Sequence, residues 1–199
     1  MTDLLGAENQ TNTKCTDSGG MRRKIFVVAL CTVSNFLGSV CARFFNIPLY
    51  LDSVLTIGAT SLCGLWAGIA TAVLSNGTLF IIDRNMIPFT LCHVATAVFA
   101  YIVFLRSKKR NDVLEIDSFI WAGLLSAVSN AVLGNVISDF VYGSNTVENI
   151  NNSVHAIYLA VPNLTFATYF SGFLTNFADK MISAALSFGV YMACKRKFS

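Results

Sequence analysis

The feature that most constrains the fold is a long apolar segment without charged residues. Residues 53–82, between Asp52 and Asp83, contain no Asp, Glu, Lys or Arg. A helix needs only about 20 residues to cross the hydrocarbon core of a bilayer, so this segment exceeds one crossing. A soluble domain has no need for such a run, and the segment indicates an integral membrane protein.

Four further stretches lack charged residues. They lie between Lys24 and Arg43, Arg84 and Arg106, Asp117 and Asp139, and Glu148 and Asp179. Hydrophobic residues make up 54% of the chain and charged residues only 13%, which agrees with several crossings. Backbone polar groups in lipid must be paired within helices or closed barrels, and these runs lack the period-two alternation of barrel strands. We therefore predict an all-α integral membrane protein.

Basic residues predict the number of crossings. Three clusters, residues 22–24, 106–110 and 195–197, indicate cytoplasmic positions, so an even number of spans should separate each from the next. One helix over residues 53–82 would break this parity, whereas a division near Cys63-Gly64-Leu65 restores it. The predicted spans are about residues 25–43, 48–63, 65–82, 86–105, 118–141 and 164–193. The sequence thus predicts six transmembrane helices with both termini in the cytoplasm.

The first 21 residues differ in character from the rest of the chain. They are polar and contain no apolar core of a signal peptide, so we expect a disordered cytoplasmic tail. Residues 22–199 would then form one six-helix membrane domain.

Strongly polar residues concentrate in the halves of the predicted spans that lie away from the basic clusters. Burying a charge at bilayer depth costs at least about 2.5–3.5 kcal/mol, so such residues indicate a cavity, a partner or a function. A pore would need polar groups along its full depth. The one-sided distribution instead predicts an outward-facing pocket for a small molecule. Its candidate residues are Tyr50, Asp52, Asn76, His93, Asn130, Asn135, Asp139, Asn163, Asn176, Asp179 and Lys180.

Four of these candidates form two pairs with helical spacing, each pair within one predicted span. Asn135 and Asp139 are four residues apart and share a helix face, as do Asn176 and Lys180. Each pair could offer a ligand both donors and acceptors. Asp179 and Lys180 are adjacent, and their side chains should diverge by about 100° on a helix, which predicts separate partners.

Structural roles are the alternative for three candidates. Lys180 could form an ion pair with Asp52 or Asp139 that only stabilises the fold. His93 could be a hydrogen-bonded core residue. Asp52 could be the N-cap of the second helix, where an acidic side chain suits the helix dipole.

Small residues at four-residue spacing form a stripe on the first predicted span. Ser34, Gly38 and Ala42 would let another helix backbone approach closely. The stripe predicts either packing within the bundle or docking onto a partner membrane protein. The first helix is the better docking candidate, because a terminal helix often lies at the edge of a bundle.

Three sequence motifs resemble the substrate-binding S component of energy-coupling factor transporters. They are IPLYLDS at residues 47–53, LCGLWAG at 62–68 and NFADKMIS at 176–183. The length, the six predicted helices and the cytoplasmic termini are also similar, so the resemblance covers about residues 22–197. In that family the first helix often carries an Ala-x-x-x-Ala docking motif, whose spacing Ser34, Gly38 and Ala42 reproduce.

The resemblance implies a multi-pass protein of the cell (cytoplasmic) membrane that captures a vitamin or related micronutrient from outside. It would dock on a transmembrane coupling protein that carries two cytoplasmic ATPases. The chain has no Gly-x-x-x-x-Gly-Lys-Ser/Thr phosphate loop, which agrees with ATP hydrolysis in those partners. We therefore expect no enzyme activity, cofactor or metal site in this chain, and no nucleic-acid partner.

Two points stay open at this stage. Residues 142–158 could be an outer loop that closes over a ligand or a simple solvated connection. The chain could also be a membrane sensor or assembly protein without transport activity. No motif selects a particular substrate.

Overall fold

A computed structural model describes residues 18–110, 113–142 and 148–198, and these ranges contain helices but no strand. The all-α prediction is confirmed. The predicted tail lies outside the described residues up to residue 17, while residues 18–21 already belong to the first helix. The helices are α1 Ser18–Phe44, α2 Thr56–Cys63, α3 Leu65–Leu79, α4 Thr90–Arg110, α5 Ile116–Tyr142, α6 Glu148–Ala160 and α7 Leu164–Phe198.

Three of the described helices are long and apolar enough to cross a membrane: Gly20–Phe44, Thr90–Arg110 and Ile116–Val141. They correspond to the first, fourth and fifth predicted spans. Helix α3 is also apolar but has 15 residues, about 22 Å at 1.5 Å per residue. The apolar helices indicate a membrane protein.

The predicted division of the long apolar run at residue 64 is confirmed. Helix α2 ends at Cys63 and α3 begins at Leu65, and Gly64 between them has φ 86°, a conformation that glycine adopts without strain. A Cβ atom on Gly68 would collide with the side chain of Thr60, so α3 packs closely on α2. The chain therefore reverses direction at Gly64.

The predicted second span, residues 48–63, is helical only from Thr56. Pro48 disfavours helical backbone at the residue before it, and Leu51 has φ 48°, outside the right-handed helical region. The N-cap of α2 is Leu55 and makes no side-chain capping bond. The prediction of a helix from residue 48 and the alternative of Asp52 as its cap are both wrong.

Side chains of neighbouring helices pair the backbone of this non-helical stretch, which we call the 47–55 segment. Because unpaired backbone groups are costly away from water, these side chains replace the partners that a helix would supply. The Asn35 side chain also donates to Thr56 and Ser75 and is completely buried. Three hydrogen bonds join side chains to the backbone of the segment: Leu51 N donates to Asp179 Oδ1 at 2.7 Å, Leu55 N donates to Asn35 Oδ1 at 2.8 Å, and Ser187 Oγ donates to Val54 O at 3.0 Å.

The small-residue stripe of α1 faces the interior of the molecule for most of its length. Ala42 is completely buried, and a Cβ atom on Gly38 would lie 2.6 Å from the carbonyl oxygen of Leu51. Ser34 is half-buried and donates to the carbonyl of Leu30. Gly38 and Ala42 therefore follow the packing alternative, because their small size admits the 47–55 segment.

Other helix boundaries also differ from the predicted ones, and these differences lie where one helix is connected to the next. The fourth predicted span begins at Thr90 rather than residue 86, because a short 3₁₀ turn, Arg84–Met86, precedes it. The predicted loop 142–158 contains helix α6, which packs on α7. Residues 143–147 of that loop lie outside the described residues. Helix α5 agrees with its predicted span to within two residues at its start and one at its end.

An aromatic core joins α4, α5 and α7. The ring of Phe119 lies 4.8 Å from that of Phe104, 5.3 Å from Phe188 and 5.5 Å from Tyr191, measured between centroids. Phe104 and Phe119 are almost completely buried. This apolar packing fixes the three helices that carry most of the predicted polar residues.

The contact between Gly38 and the 47–55 segment yields a stability prediction. Replacing Gly38 with Ala should displace the Leu51 carbonyl and reduce the free energy of unfolding by about 1–3 kcal/mol. Gly77→Ala is the matched control, since a Cβ atom there meets nothing within 4 Å. Thermal unfolding in detergent would test this, and equal melting temperatures of the two variants would contradict the packing assigned to Gly38.

Candidate functional site

Six of the predicted site residues line one cavity. Lys180 and the others come from the 47–55 segment and from helices α4, α5 and α7, so the fold brings together positions that are far apart in the sequence. The six are Tyr50, Asp52, His93, Asn130, Asn176 and Lys180, and the remaining walls are Met86, Phe89, Cys92 and Gly134. Six of the eleven residues chosen for their polarity therefore meet at one cavity.

A buried network of charged side chains lies at this cavity. His93 Nε2 is 3.0 Å from Asp52 Oδ2, and Lys180 Nζ is 2.6 Å from Asp179 Oδ2. Lys180 Nζ also donates to Ser53 Oγ at 2.5 Å and lies 3.9 Å from Asp52 Oδ1. Lys180, Asp179 and His93 are each at most 2% exposed. Buried charges persist only when they are paired, and this network pairs them.

The adjacent residues Asp179 and Lys180 bind each other, so the prediction of separate partners is wrong. The long stem of Lys180 lets its ammonium group reach the neighbouring carboxylate despite their different directions on the helix. The second oxygen of Asp179 accepts from Leu51 N. Of the two ion-pair partners considered for Lys180, Asp52 belongs to the network, whereas Asp139 accepts a hydrogen bond from the Tyr169 hydroxyl instead.

Two buried atoms of cavity-lining residues have no hydrogen-bond partner: His93 Nδ1 and Asp52 Oδ1. His93 Nε2 faces a carboxylate and is therefore a donor, whereas Nδ1 makes no hydrogen bond. A buried polar atom without a partner costs about 1–3 kcal/mol. Both atoms belong to side chains of the cavity wall, and each is almost inaccessible in this conformation.

The cavity is small in this conformation. Its volume is about 30 Å³, which is room for about two water molecules. Pockets for drug-sized ligands have about 300 Å³ or more. A larger ligand thus requires the walls to move apart. The walls outside the α-helices are the 47–55 segment and the turn that carries Met86 and Phe89.

The other predicted residues lie outside the cavity walls. Asp179 stands behind Lys180, as described above. The Asn76 side chain donates to Met86 O and Thr90 Oγ1 and so joins α3 to the start of α4. Asn163 is exposed and caps α7, accepting from Phe166 N at 3.0 Å. These residues stabilise helix ends and turns.

The predicted pair on α5 is not part of the cavity. Asn135 is buried and donates to Tyr169 O at 3.4 Å, and a Cβ atom on Gly172 would collide with its side chain. Asp139 is bound to the Tyr169 hydroxyl, a contact that is exposed. Both residues hold α5 to α7, whereas Asn176 and Lys180 of the other predicted pair do line the cavity.

Sequence reasoning missed two polar residues that build the site. Ser53 directly follows Asp52 and accepts a hydrogen bond from Lys180, so its position in the motif was a usable signal. Asn35 could also have been singled out from the sequence, because an amide side chain in a charge-free span needs a hydrogen-bond partner inside the protein. The apolar walls Met86, Phe89 and Cys92 carry no pattern that separates them from lipid-facing residues.

No group of three or more His, Cys, Asp or Glu side chains within the described ranges could hold a metal ion. No protein-family model, curated protein or solved structure matches the chain.

The buried ion pair yields a stability prediction. Asp179→Asn keeps an acceptor for Leu51 N but removes the carboxylate closest to Lys180, and it should cost about 3–5 kcal/mol of unfolding free energy. Adding Lys180→Met to this variant should recover part of the loss, because no unpaired ammonium group then remains. Thermal unfolding and monodispersity in detergent are the measurements.

Asp117→Asn is the control for this prediction. Asp117 pairs with Arg110 at 3.5 Å, and both side chains are at least half exposed. Such pairs contribute about 0–1 kcal/mol. If Asp179→Asn loses no more unfolding free energy than Asp117→Asn, the buried pair of Asp179 and Lys180 does not stabilise the fold as predicted.

Proposed function

We propose that this chain is the substrate-capture subunit of an energy-coupling factor transporter and binds a vitamin or related micronutrient from the outer face of the cell membrane. The observation that carries the proposal is a cavity among apolar helices that is lined by six polar side chains, two of which, His93 and Asp52, each have a buried atom without a hydrogen bond. Buried polar groups are normally hydrogen-bonded, so unpaired atoms at a cavity favour ligand binding.

The contact between two of the motifs that carry the family resemblance supports this proposal. Leu51 and Ser53 belong to the first motif, and Asp179 and Lys180 belong to the last. Leu51 N donates to Asp179, and Lys180 donates to Ser53. Motifs 120 or more residues apart thus build one site, as expected if they serve a common function.

The proposed topology has six crossings and cytoplasmic termini. In support, Lys24 of α1, the Gly64 turn and Lys108 of α4 line one groove, so these three positions lie at the same end of the bundle. This end is the cytoplasmic one by the positive-inside rule. The cavity would then open toward the opposite face.

Substrate release would require a transmembrane coupling protein and two cytoplasmic ATPases. Gly38 and Ala42 pack within the chain, so the partner would bind another surface. Helix α1 exposes a row of apolar side chains that includes Phe26, Leu30 and Leu37. Such a row suits either lipid or a helix of the coupling protein.

A membrane sensor or assembly protein is the second candidate. The cavity volume of about 30 Å³ favours it, because the network could serve only to hold the 47–55 segment. Capture and assembly roles differ in one measurable property, the retention of a small molecule by the purified protein.

Native mass spectrometry of the detergent-purified chain tests the proposal. The wild type should retain a small molecule, and Asn130→Ala and Asn176→Ala should each reduce its occupancy about tenfold through lost cavity contacts. Asn163→Ala is the control, because Asn163 is an exposed helix cap away from the cavity. No retained molecule, together with no saturable thermal shift from a panel of B vitamins, would favour the assembly role.

A further inference from the structure

We infer that the end of the bundle that carries the Gly64 turn binds an anionic phospholipid. The headgroup lies in a basic groove beside this turn, and an acyl chain lies in an apolar groove between α1 and α3. The inference concerns a membrane lipid rather than a captured substrate, so it stands or falls independently of the proposed function. It follows from two adjoining grooves of opposite chemical character and from two lysines without acidic partners.

The basic groove surrounds the Gly64 turn. Lys24 of α1 and Lys108 of α4 both line it, together with the exposed ring of Trp66. Its volume is about 210 Å³, compared with about 30 Å³ for the cavity that contains Asp52. Because one water molecule needs only about 10–15 Å³ of such space, a group of several non-hydrogen atoms fits without movement of the walls.

The two lysines are the groups that give this groove its charge. Among the described residues its walls contain no Asp or Glu, and neither Lys24 nor Lys108 forms an ion pair with a described carboxylate. The hydroxyl groups of Thr60 and Ser61, which also line the groove, donate to carbonyls of their own helix. The groove therefore offers an anion two ammonium groups, and basic pockets at the cytoplasmic ends of membrane helices bind anionic headgroups.

The apolar groove adjoins the basic one, because Lys24 and Ala67 line both. Its volume is about 310 Å³. Ile25 and Leu74 in its walls are each more than half exposed, so the groove opens at the surface of the apolar helices. Its remaining walls are Val28 and Ala29 on α1 and Ala70 on α3. A basic groove that continues into an apolar one matches the two parts of a phospholipid.

Charge complementarity selects the class of headgroup. Phosphatidylglycerol has a net negative charge, whereas phosphatidylcholine carries a cation beside its phosphate, which the two lysines repel. Attraction by two basic side chains corresponds to a preference of about tenfold or more for the anionic lipid. A soluble anion such as inorganic phosphate would contact only the lysines and would leave the apolar groove empty.

Quenching of tryptophan fluorescence by brominated lipids tests the inference in vesicles. The chain has two tryptophans, both more than half exposed; Trp66 lines the basic groove, whereas Trp121 lies on α5 outside it. Phosphatidylglycerol and phosphatidylcholine, each brominated near the headgroup end of one acyl chain, are compared in the full chain. Both leaflets have the same composition, so the result does not depend on the orientation of the protein.

The two tryptophans should report different lipid preferences. In Trp121→Phe, where Trp66 gives the signal, phosphatidylglycerol should bind about ten times more strongly than phosphatidylcholine. In Trp66→Phe, where Trp121 gives the signal, the ratio should be about one. A ratio near one at Trp66, or an equally high ratio at both tryptophans, would overturn the inference.

Paired charge variants in the Trp121→Phe background assign the preference to the groove. Lys24→Gln combined with Lys108→Gln should reduce the ratio at Trp66 to about one. Arg22→Gln combined with Lys109→Gln is the matched control, because it removes the same charge from the same two helices at exposed side chains outside the groove. Equal losses in the two double variants would show a general attraction to basic surface charge and no site.

A second pair of variants tests the place of the acyl chain. Ala70→Leu fills part of the apolar groove and should lower the ratio at Trp66. Gly77→Leu adds bulk to the same helix where nothing lies within 4 Å of the new Cβ atom, and it should leave the ratio unchanged. An unchanged ratio in Ala70→Leu would overturn the inference as stated.

Two other occupants of the grooves give different results. Inorganic phosphate at matched ionic strength should not change the ratio at Trp66, and loss of the preference would assign the basic groove to a soluble anion. A dimer of the chain that the Lys24→Gln and Lys108→Gln substitutions dissociate would assign the grooves to a second copy. Either result would overturn the inference of a bound phospholipid.

Discussion

The structure depends on how α7 holds a stretch of non-helical chain against a bundle of apolar helices. Backbone groups of such a stretch need partners when water is absent, and Asp179 and Ser187 supply two of them. Asn35 of α1 supplies a third. Asp179 also binds Lys180, whose ammonium group reaches Ser53 in the same stretch. The 47–55 segment, and with it Asp52, is thus fixed beside His93.

This arrangement divides the polar residues into two groups. Asp179 and Lys180 complete their bonding within the protein and are structural, although they lie beside the cavity. Asp52 and His93 bind each other, and each keeps one buried atom without a hydrogen bond. The first group thus positions side chains of the cavity wall, so a change in stability and a change in binding have to be measured separately.

The sequence predicted α5 and the Gly64 reversal well because local signals define both: charged residues flank α5, and glycine permits the backbone at residue 64. It did not predict that residues 48–55 are non-helical, since apolar composition does not distinguish a helix from a segment paired by distant side chains. The Lys180–Asp179 contact was missed for a similar reason, because a direction on a helix does not determine where a long side chain ends. Polarity alone found the cavity walls but could not separate them from helix caps such as Asn163.

The same bonds that define the cavity also oppose its enlargement. Moving the 47–55 segment would break contacts with Asp179, Lys180, Asn35 and Ser187, each with a net contribution of about 0.5–1.5 kcal/mol or more where a charge is involved. Leu51, with φ 48°, offsets part of this because its backbone is itself strained. A molecule that entered the cavity would therefore shift the position of the segment only by as much as it bound one arrangement better than the other.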